Sequence, residues 1–313
     1  MSGGGGRGGR IFDSNNTPEK IAERIRKAEQ NTLDASFKAE VNAFLGHELA
    51  SYNDRDVELV NRRLDDVLSV LGSEVEGSIT TNFGGSVAKH TYVDGLSDID
   101  CLLFVTETEL QDSAPKDILK YCVDALRDDL RDAKNITAGN MAITVEYGDG
   151  MQIQLLPALK SRSGATRVAG PDPETWSEIN PERFDEKLTS VNGATNGKLV
   201  PVIKLAKSVI SQTRGLELTG YHVESLAIDA FRRYDGPLDP KSMLGHFFDH
   251  ATEGVREPIR DSSGQSVHVD GYLGATDSPT RLKSSEALNR IAKRIKNADA
   301  MQSVDQWTHL FDD

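Results

Sequence analysis

Two aspartates are the residues of this chain best suited to chemistry. Asp98 and Asp100 begin an apolar run that ends at Val105. Alternate residues of a β-strand point to the same face, so the spacing predicts both carboxylates on one face and Ile99 and Cys101 on the other. Mg²⁺ takes hard oxygen ligands, usually one or two carboxylates together with substrate phosphates. The pair therefore predicts a divalent-metal site for phosphoryl chemistry.

A glycine-serine turn precedes the two aspartates. Gly84, Gly85 and Ser86 follow a strand-like pattern and begin a short helix that is expected to run to about His90. Glycines let the backbone approach a phosphate closely, and the serine offers a hydroxyl and unpaired amides at a helix N-terminus. A capped turn or solubilising carboxylates would explain either feature alone. Together they favour a phosphate cradle beside a metal site.

The combined pattern resembles the nucleotidyltransferase superfamily that includes DNA polymerase beta, CCA-adding enzymes and oligoadenylate synthetases. Two later segments, GKLVPVIKLAKSVI (197–210) and LTGYHVESLAIDAF (218–231), resemble the helical half of the cGAS/DncV-like nucleotidyltransferases, or CD-NTases. These bacterial relatives of cGAS make cyclic oligonucleotides in anti-phage (CBASS) signalling. The resemblance implies an α+β fold, with a polymerase-beta-like sheet lobe followed by a helical lobe like the oligoadenylate synthetase C-terminal domain.

The resemblance also implies roles for individual residues of the sheet lobe. Asp98 and Asp100 would bind two Mg²⁺ (or Mn²⁺) ions and carry the catalysis. Gly85 and Ser86 would hold the β- and γ-phosphates of a nucleoside triphosphate.

In the helical lobe, Lys204 resembles the lysine with which the family holds the donor triphosphate, and Lys207 is a weaker candidate for that role. Tyr221 matches the family's aromatic residue that stacks on a nucleobase, although a core tyrosine at a helix start is the ordinary alternative. Thr219 would offer a hydroxyl to phosphate.

The chain departs from the family at the third metal-binding acid. The family carries this acid on a strand that ends in Leu-Pro-Ala, and here the two residues on the corresponding face are Gln152 and Gln154, which are neutral. Glu146 on the partner strand and Asp149 at the turn are the nearest substitutes. Loss of the third acid is expected to lower the reaction rate far more than nucleotide binding.

Composition favours a small-molecule enzyme over a nucleic-acid binder. The formal net charge is -13, which works against unspecific attraction to a long polyanion. The chain has 2 cysteines, too few for a zinc cluster, and both lie in apolar patterns typical of buried thiols. No run is apolar enough for a membrane span or a signal core, so a cytoplasmic protein is expected. Its expected partners are nucleoside triphosphates and regulatory or effector proteins encoded elsewhere.

The chain is expected to divide into a disordered Gly-rich tail (1–16), a catalytic lobe with bracing helices at its N-terminus (17–165) and a helical nucleotide-binding lobe (166–313). Periodicity predicts a strand at 78–83, a helix at 115–133, a hairpin across 142–159 with its turn at 148–150, and a polar boundary loop at 161–181.

These observations predict a synthase of a cyclic di- or trinucleotide second messenger that releases pyrophosphate. Two alternatives remain open at this point. The neutral residues Gln152 and Gln154 also fit a catalytically weakened nucleotide-binding regulator. A nucleotidyltransferase acting on a tRNA or protein acceptor is the other alternative, and the acidic surface disfavours tRNA.

Overall fold

The structure is a computed structural model that describes residues 18–52, 57–74, 78–83, 91, 99–106, 113–139, 141–160, 165–169, 174–179, 181–261 and 268–312. The expected Gly-rich tail, the turn at Gly84, Gly85 and Ser86, and Asp98 lie outside these ranges. For Asp100 the structure describes the backbone.

Helices dominate the two ends of the chain, and the strands lie between them. The helices are α1 (Pro18–Ser51), α2 (Val57–Glu74), α3 (Pro115–Asp129), α4 (Pro181–Ala194), α5 (Leu199–Ser211), α6 (Gly220–Phe231), α7 (Pro240–Gly254), α8 (Pro279–Ala300) and α9 (Val304–Thr308). The strands are β1 (Ser78–Phe83), β2 (Ile99–Thr106), β3 (Ala133–Ala138), β4 (Ile143–Tyr147), β5 (Gln152–Lys160), β6 (Thr166–Ala169) and β7 (Trp176–Ile179). This is the α+β fold that the sequence predicts.

Within the described part of the chain the strands form one mixed sheet of seven strands. Five of them lie in the order β1-β2-β5-β4-β3, while β6 pairs with β5 and with β7. Strands β2 and β5 are parallel, and the other pairs are antiparallel. The predicted strand at 78–83 and the predicted hairpin are confirmed. Gly150 occupies the hairpin turn with φ +89°, a left-handed conformation that glycine adopts without steric cost.

The core of the sheet lobe lies between the sheet and helices α2 and α3. Burial alternates along β4, where Ile143, Val145 and Tyr147 are buried, because successive side chains of a strand point to opposite faces. Cys101 of β2 and Cys122 of α3 lie in the same core, and both are free thiols, as predicted. Burial raises the pKa of Cys122 to about 12, so this thiol is unreactive near neutral pH.

Helix α1 belongs to the other core. Its buried side chains Phe37, Val41 and Leu45 recur every four residues and join the core of the helical lobe, where α1 packs against α5, α7 and α9. The expectation that α1 braces the sheet is therefore wrong. Helix α2 does pack against the sheet lobe, through β1 and α3.

Two further expectations about local structure are wrong. The helix expected at 115–133 is present but ends at Asp129, and the chain then forms β3, because residues 133–138 pair with β4. The Arg127 guanidinium of the helix donates to the Ile136 carbonyl of β3 at 2.7 Å. The segment expected to be a polar loop contains β6 and β7, each of four residues. Pairing of β6 with β5 decides their conformation, and the sheet continues past residue 165 to Ile179.

Candidate active site

The sheet places the backbone of Asp100 directly beside Gln154. Strands β2 and β5 are parallel neighbours, and residues 100 and 154 are Cα partners in their register. Neighbouring strands lie about 4.8 Å apart, so position 154 is next to Asp100 on the sheet. Gln154 is partly exposed and Gln152 is exposed, whereas Ile153 between them is fully buried. The two neutral amides therefore lie on the solvent-facing side of β5, beside the strand that carries Asp100.

Glu146 lies farther from the expected metal site. It is the Cα partner of Gln152, but on β4, and β5 separates β4 from β2. Two strand spacings put Glu146 about 10 Å from the level of β2. The Lys134 ammonium also binds its carboxylate, with Nζ 3.1 Å from Oε1. The structure does not bring Glu146 beside Asp100.

Asp149, the other substitute, is engaged by an arginine of α2. Arg63 donates to Oδ1 of Asp149 at 3.1 Å and lies over the Tyr147 ring, 3.9 Å from its centroid. This hydrogen bond from Arg63 lowers the pKa of the Asp149 carboxyl below its usual value. The contact holds the hairpin turn against α2, so Asp149 has a structural partner at the far end of the hairpin.

Helix α5 carries the two candidate lysines one turn apart. Lys204 is partly exposed. Lys207 is buried, and its Nζ lies 2.8 Å from Oε1 of Glu224 on α6 and 3.0 Å from the carbonyl oxygen of Thr91. Residues three apart on a helix lie on neighbouring parts of one face, so Lys204 is on the part of α5 next to the one that carries Lys207.

The first turn of α6 carries the other two candidates. Thr219 is the N-cap, and its hydroxyl oxygen accepts a hydrogen bond from the His222 amide at 3.3 Å. The Tyr221 ring packs on Phe184 of α4 with ring centroids 4.6 Å apart. Its hydroxyl donates to Oδ1 of the buried Asp261 at 2.8 Å. Tyr221 is therefore held at two points, at one ring face and at its hydroxyl.

A buried polar network supports this turn from behind. His222 and Asp270 are fully buried, and Nε2 of His222 lies 3.4 Å from Oδ2 of Asp270. The Arg281 guanidinium binds the same carboxylate oxygen at 2.8 Å. Nδ1 of His222 lies 3.0 Å from the hydroxyl of Tyr272, which also accepts from the Thr219 amide at 3.1 Å. Burial lowers the pKa of His222 to about 4, so the imidazole is neutral near pH 7.

Sequence reasoning missed Asp261, Asp270 and Arg281. Each has the appearance of an ordinary surface charge in the sequence, because no local pattern distinguishes a buried charged residue from a solvated one. The partner of Asp261 is Tyr221 of α6, and the partner of Asp270 is Arg281 of α8. The Arg281 guanidinium also donates to the carbonyls of Gly274 and Val255, at 3.0 and 2.9 Å. The signal available in the sequence was the charged Arg281 at a helix position in phase with the apolar residues farther along that helix.

Comparison with known families identifies the fold and its chemistry. The model of the Second Messenger Oligonucleotide or Dinucleotide Synthetase domain (SMODS) matches residues 36–192, which include the sheet and the Asp98-Asp100 pair. The chain belongs to this family. It is a nucleotidyltransferase of the cGAS/DncV-like, or CD-NTase, type, as the sequence resemblance indicates.

Solved CD-NTase structures share the fold at low sequence identity. The chain is similar to CdnC of E. coli MS115-1 with ATP, at 15% identity and TM-score 0.56, over 82% of this chain and 90% of that chain. It is similar to a mutant of the Vibrio cholerae cyclase DncV with ATP, GTP and 5MTHFGLU2, at 10% identity and TM-score 0.61, over 95% and 92%. CdnG of Bradyrhizobium diazoefficiens with GTP shares 14% identity and TM-score 0.58, over 84% and 91%. A search of curated proteins found no match.

The described ranges contain no group of three or more His, Cys, Asp or Glu side chains that is arranged to hold a metal ion. The donors available to a CD-NTase metal here are the carboxylates of Asp98 and Asp100 and the amide oxygen of Gln154, the register partner of Asp100. All are hard oxygen donors of the kind that Mg²⁺ accepts, so the residues fit the metal, with less negative charge than three acids supply. Among the described helices, none is both long and apolar enough to cross a membrane.

Proposed function

We propose that this CD-NTase joins nucleoside triphosphates into a cyclic di- or trinucleotide second messenger and releases pyrophosphate, as part of anti-phage (CBASS) signalling. The observation that carries the proposal is the SMODS match across residues 36–192, which spans the two-aspartate strand and the hairpin beside it. Similar structures support the choice of substrates, since CdnC was solved with ATP and CdnG with GTP.

In this proposal the sheet lobe holds the reacting phosphates. The amides of Gly85 and the hydroxyl of Ser86 would bind the β- and γ-phosphates. Asp98 and Asp100 would hold Mg²⁺ or Mn²⁺, and a metal bound there lowers the pKa of the acceptor hydroxyl and stabilises charge on the departing pyrophosphate. Gln154 would offer an amide oxygen beside Asp100. An amide does not take a proton near neutral pH, so the proton of the acceptor hydroxyl would pass to water.

The helical lobe would fix the donor nucleotide. Lys204 would bind the triphosphate as a cation, and the Thr219 hydroxyl would donate to phosphate at the N-terminus of α6, where unpaired amides also favour an anion. Tyr221 would stack on the nucleobase. Its ring is already supported by Phe184, and its hydroxyl is fixed by Asp261, so little side-chain entropy would be lost on binding.

A second function, nucleotide-dependent regulation without catalysis, is favoured by a specific observation. Position 154, next to Asp100 in the sheet, is neutral, and so is Gln152 on the same strand. Without the charge of a third acid, triphosphate binding would persist while turnover fell. In that case the chain would act through a partner protein that detects its nucleotide-bound state.

The deciding experiment supplies purified protein with labelled ATP, GTP, CTP and UTP and with Mg²⁺ or Mn²⁺, followed by phosphatase treatment and chromatography. The control is the double variant Asp98→Ala/Asp100→Ala. A phosphatase-resistant small molecule that is absent from the control supports the messenger synthase. Label transferred to protein or tRNA would instead identify a macromolecular acceptor. Triphosphate binding without any labelled product would support the regulatory function.

We also propose a cytoplasmic setting and protein partners. The two cysteines, Cys101 and Cys122, are free and buried, which fits a reducing compartment. CdnC of E. coli MS115-1 was solved in complex with a HORMA protein, and this CD-NTase would likewise be regulated by a protein or would signal to an effector.

A further inference from the structure

A buried three-residue contact joins Thr91, which lies between Ser86 and Asp98 in the sequence, to the helical lobe. The hydroxyl of Thr91 donates to Oε1 of Glu224 at 2.5 Å, and the carbonyl oxygen of Thr91 accepts from Nζ of Lys207 at 3.0 Å. Lys207 and Glu224 form an ion pair at 2.8 Å. We refer to Thr91, Lys207 and Glu224 as the Thr91 clasp.

All three residues of the Thr91 clasp are buried. Thr91 is fully buried, and the side chains of Lys207 and Glu224 are 7% and 1% exposed. Taking two charges out of water is costly, and the cost is offset when further hydrogen bonds satisfy the remaining donors and acceptors. Thr91 supplies one donor, which serves the carboxylate, and one acceptor, which serves the ammonium. A buried apolar residue at position 91 would remove the donor that Thr91 gives to the Glu224 carboxylate.

The clasp also lies against the turn that carries the nucleotide-binding candidates of α6. A Cβ atom built on Gly220 would lie 3.3 Å from Nζ of Lys207, so the backbone between Thr219 and Tyr221 passes closely over the buried ammonium. Thr91 therefore meets two other parts of the proposed active site at the clasp, the face of α5 that carries Lys207 and the first turn of α6.

We infer that Thr91 is a positioning residue, which holds the segment carrying Asp98 in a fixed relation to the nucleotide-binding residues of α5 and α6. This inference rests on the proposed function for its catalytic consequence. The Lys207 ammonium binds protein acceptors in the clasp, so Lys207 contributes to the site by holding Thr91. Precise placement matters because small displacements of reacting groups lower the rate more than they lower binding.

The test compares Thr91→Val, which keeps the shape and removes the hydroxyl, with Thr91→Ser, which keeps the hydroxyl. Hydrogen exchange measured by mass spectrometry should show about ten-fold faster exchange in peptides covering residues 84–100 of Thr91→Val, because one buried hydrogen bond is lost. For synthesis, kcat should fall about ten-fold while KM for the triphosphate changes less than about two-fold. Thr91→Ser should retain wild-type exchange and kcat.

The matched control is Thr195→Val at the end of α4. Thr195 is also buried, and its hydroxyl donates to the Val191 carbonyl at 3.0 Å, away from the clasp. This variant should leave exchange at 84–100 and kcat unchanged. The inference is overturned if Thr91→Val matches this control, if Thr91→Ser behaves like Thr91→Val, or if exchange rises equally throughout both lobes. Should the wild type make no product, the proposed function fails, and the exchange comparison still decides whether the clasp holds the segment.

Discussion

Restoring an acid beside Asp100 is the sharpest perturbation that the sheet offers. The variant Gln154→Asp puts a carboxylate at the register partner of Asp100, on the adjacent parallel strand. The two residues are about 4.8 Å apart at the backbone. Without metal the new charge should destabilise the fold by repulsion, and with metal it should add an anionic ligand.

The magnitude follows from Coulomb's law. Two unit charges about 5 Å apart repel by about 3 kcal/mol at an effective dielectric constant of about 20. Gln154 is partly exposed, so solvent screening reduces this to about 1 kcal/mol. For a chain of 313 residues, about 1 kcal/mol corresponds to a Tm lower by about 1.5 °C. With saturating Mg²⁺ the difference should reverse, and kcat/KM for triphosphate should rise about ten-fold, since a positioned base adds rate.

Thermal unfolding in EDTA and across a Mg²⁺ titration measures the first effect, and pyrophosphate release measures the second. The matched control is Thr144→Asp. Thr144 is the register partner of Gln154 on the far side, on β4, so its carboxylate would lie about 10 Å from Asp100 and beyond a Debye length. This control should show neither the EDTA penalty nor the metal response. The reasoning is refuted if Gln154→Asp and Thr144→Asp give the same Tm in EDTA and the same Mg²⁺ dependence.

Three other perturbations test the helical lobe. Arg281→Met should lower the free energy of unfolding by about 3 to 5 kcal/mol, because the buried Asp270 carboxylate loses its cation. Denaturant titration measures this loss. The control Arg290→Met, at an exposed position on the same helix, should have little effect. The pKa of His222 is about 4 in the folded state and 6.5 in the unfolded state. Between these pH values the unfolded chain binds more protons, so the stability of the wild type should fall as the pH drops from 6.5 to about 4. His222→Gln should flatten that profile, and an unchanged slope would argue against a buried neutral imidazole. Tyr221→Ala should raise KM for triphosphate by the equivalent of about 1 to 3 kcal/mol, because the stacked ring is lost. Tyr221→Phe keeps the ring and should raise KM much less. Equal KM values for the two variants in initial-rate assays would contradict stacking.

Local signals were sufficient for much of the sheet lobe. The strand β1 and the hairpin were predicted because alternating apolar residues and a Gly-Asp-Gly turn act over a few residues. The strands β3, β6 and β7 were missed because they are short, and their conformation depends on pairing with β4, β5 and β6 respectively. Periodicity also located α1, but it did not show which lobe the apolar face of α1 contacts.

In the candidate site, too, local features were predicted from the sequence and long-range contacts were not. The sequence placed the lysine candidates on a helix of the second lobe, and the structure has both on α5. It did not distinguish the partly exposed Lys204 from the buried Lys207, whose partners Glu224 and Thr91 lie 17 and 116 residues away along the chain. Burial and charge pairing over such separations depend on the packing of whole elements.

The sequence by itself determined the family, the two-aspartate pattern on which the proposed metal site rests and the neutral residues where a third acid is expected. These are properties of residue type and of spacing within single elements. The tertiary structure decided that Gln154 is the neighbour of Asp100, that Glu146 and Asp149 have cationic partners elsewhere, and that Thr91 contacts α5 and α6. Strand order and buried ion pairs decide such neighbours, because they bring together residues that the chain itself keeps far apart.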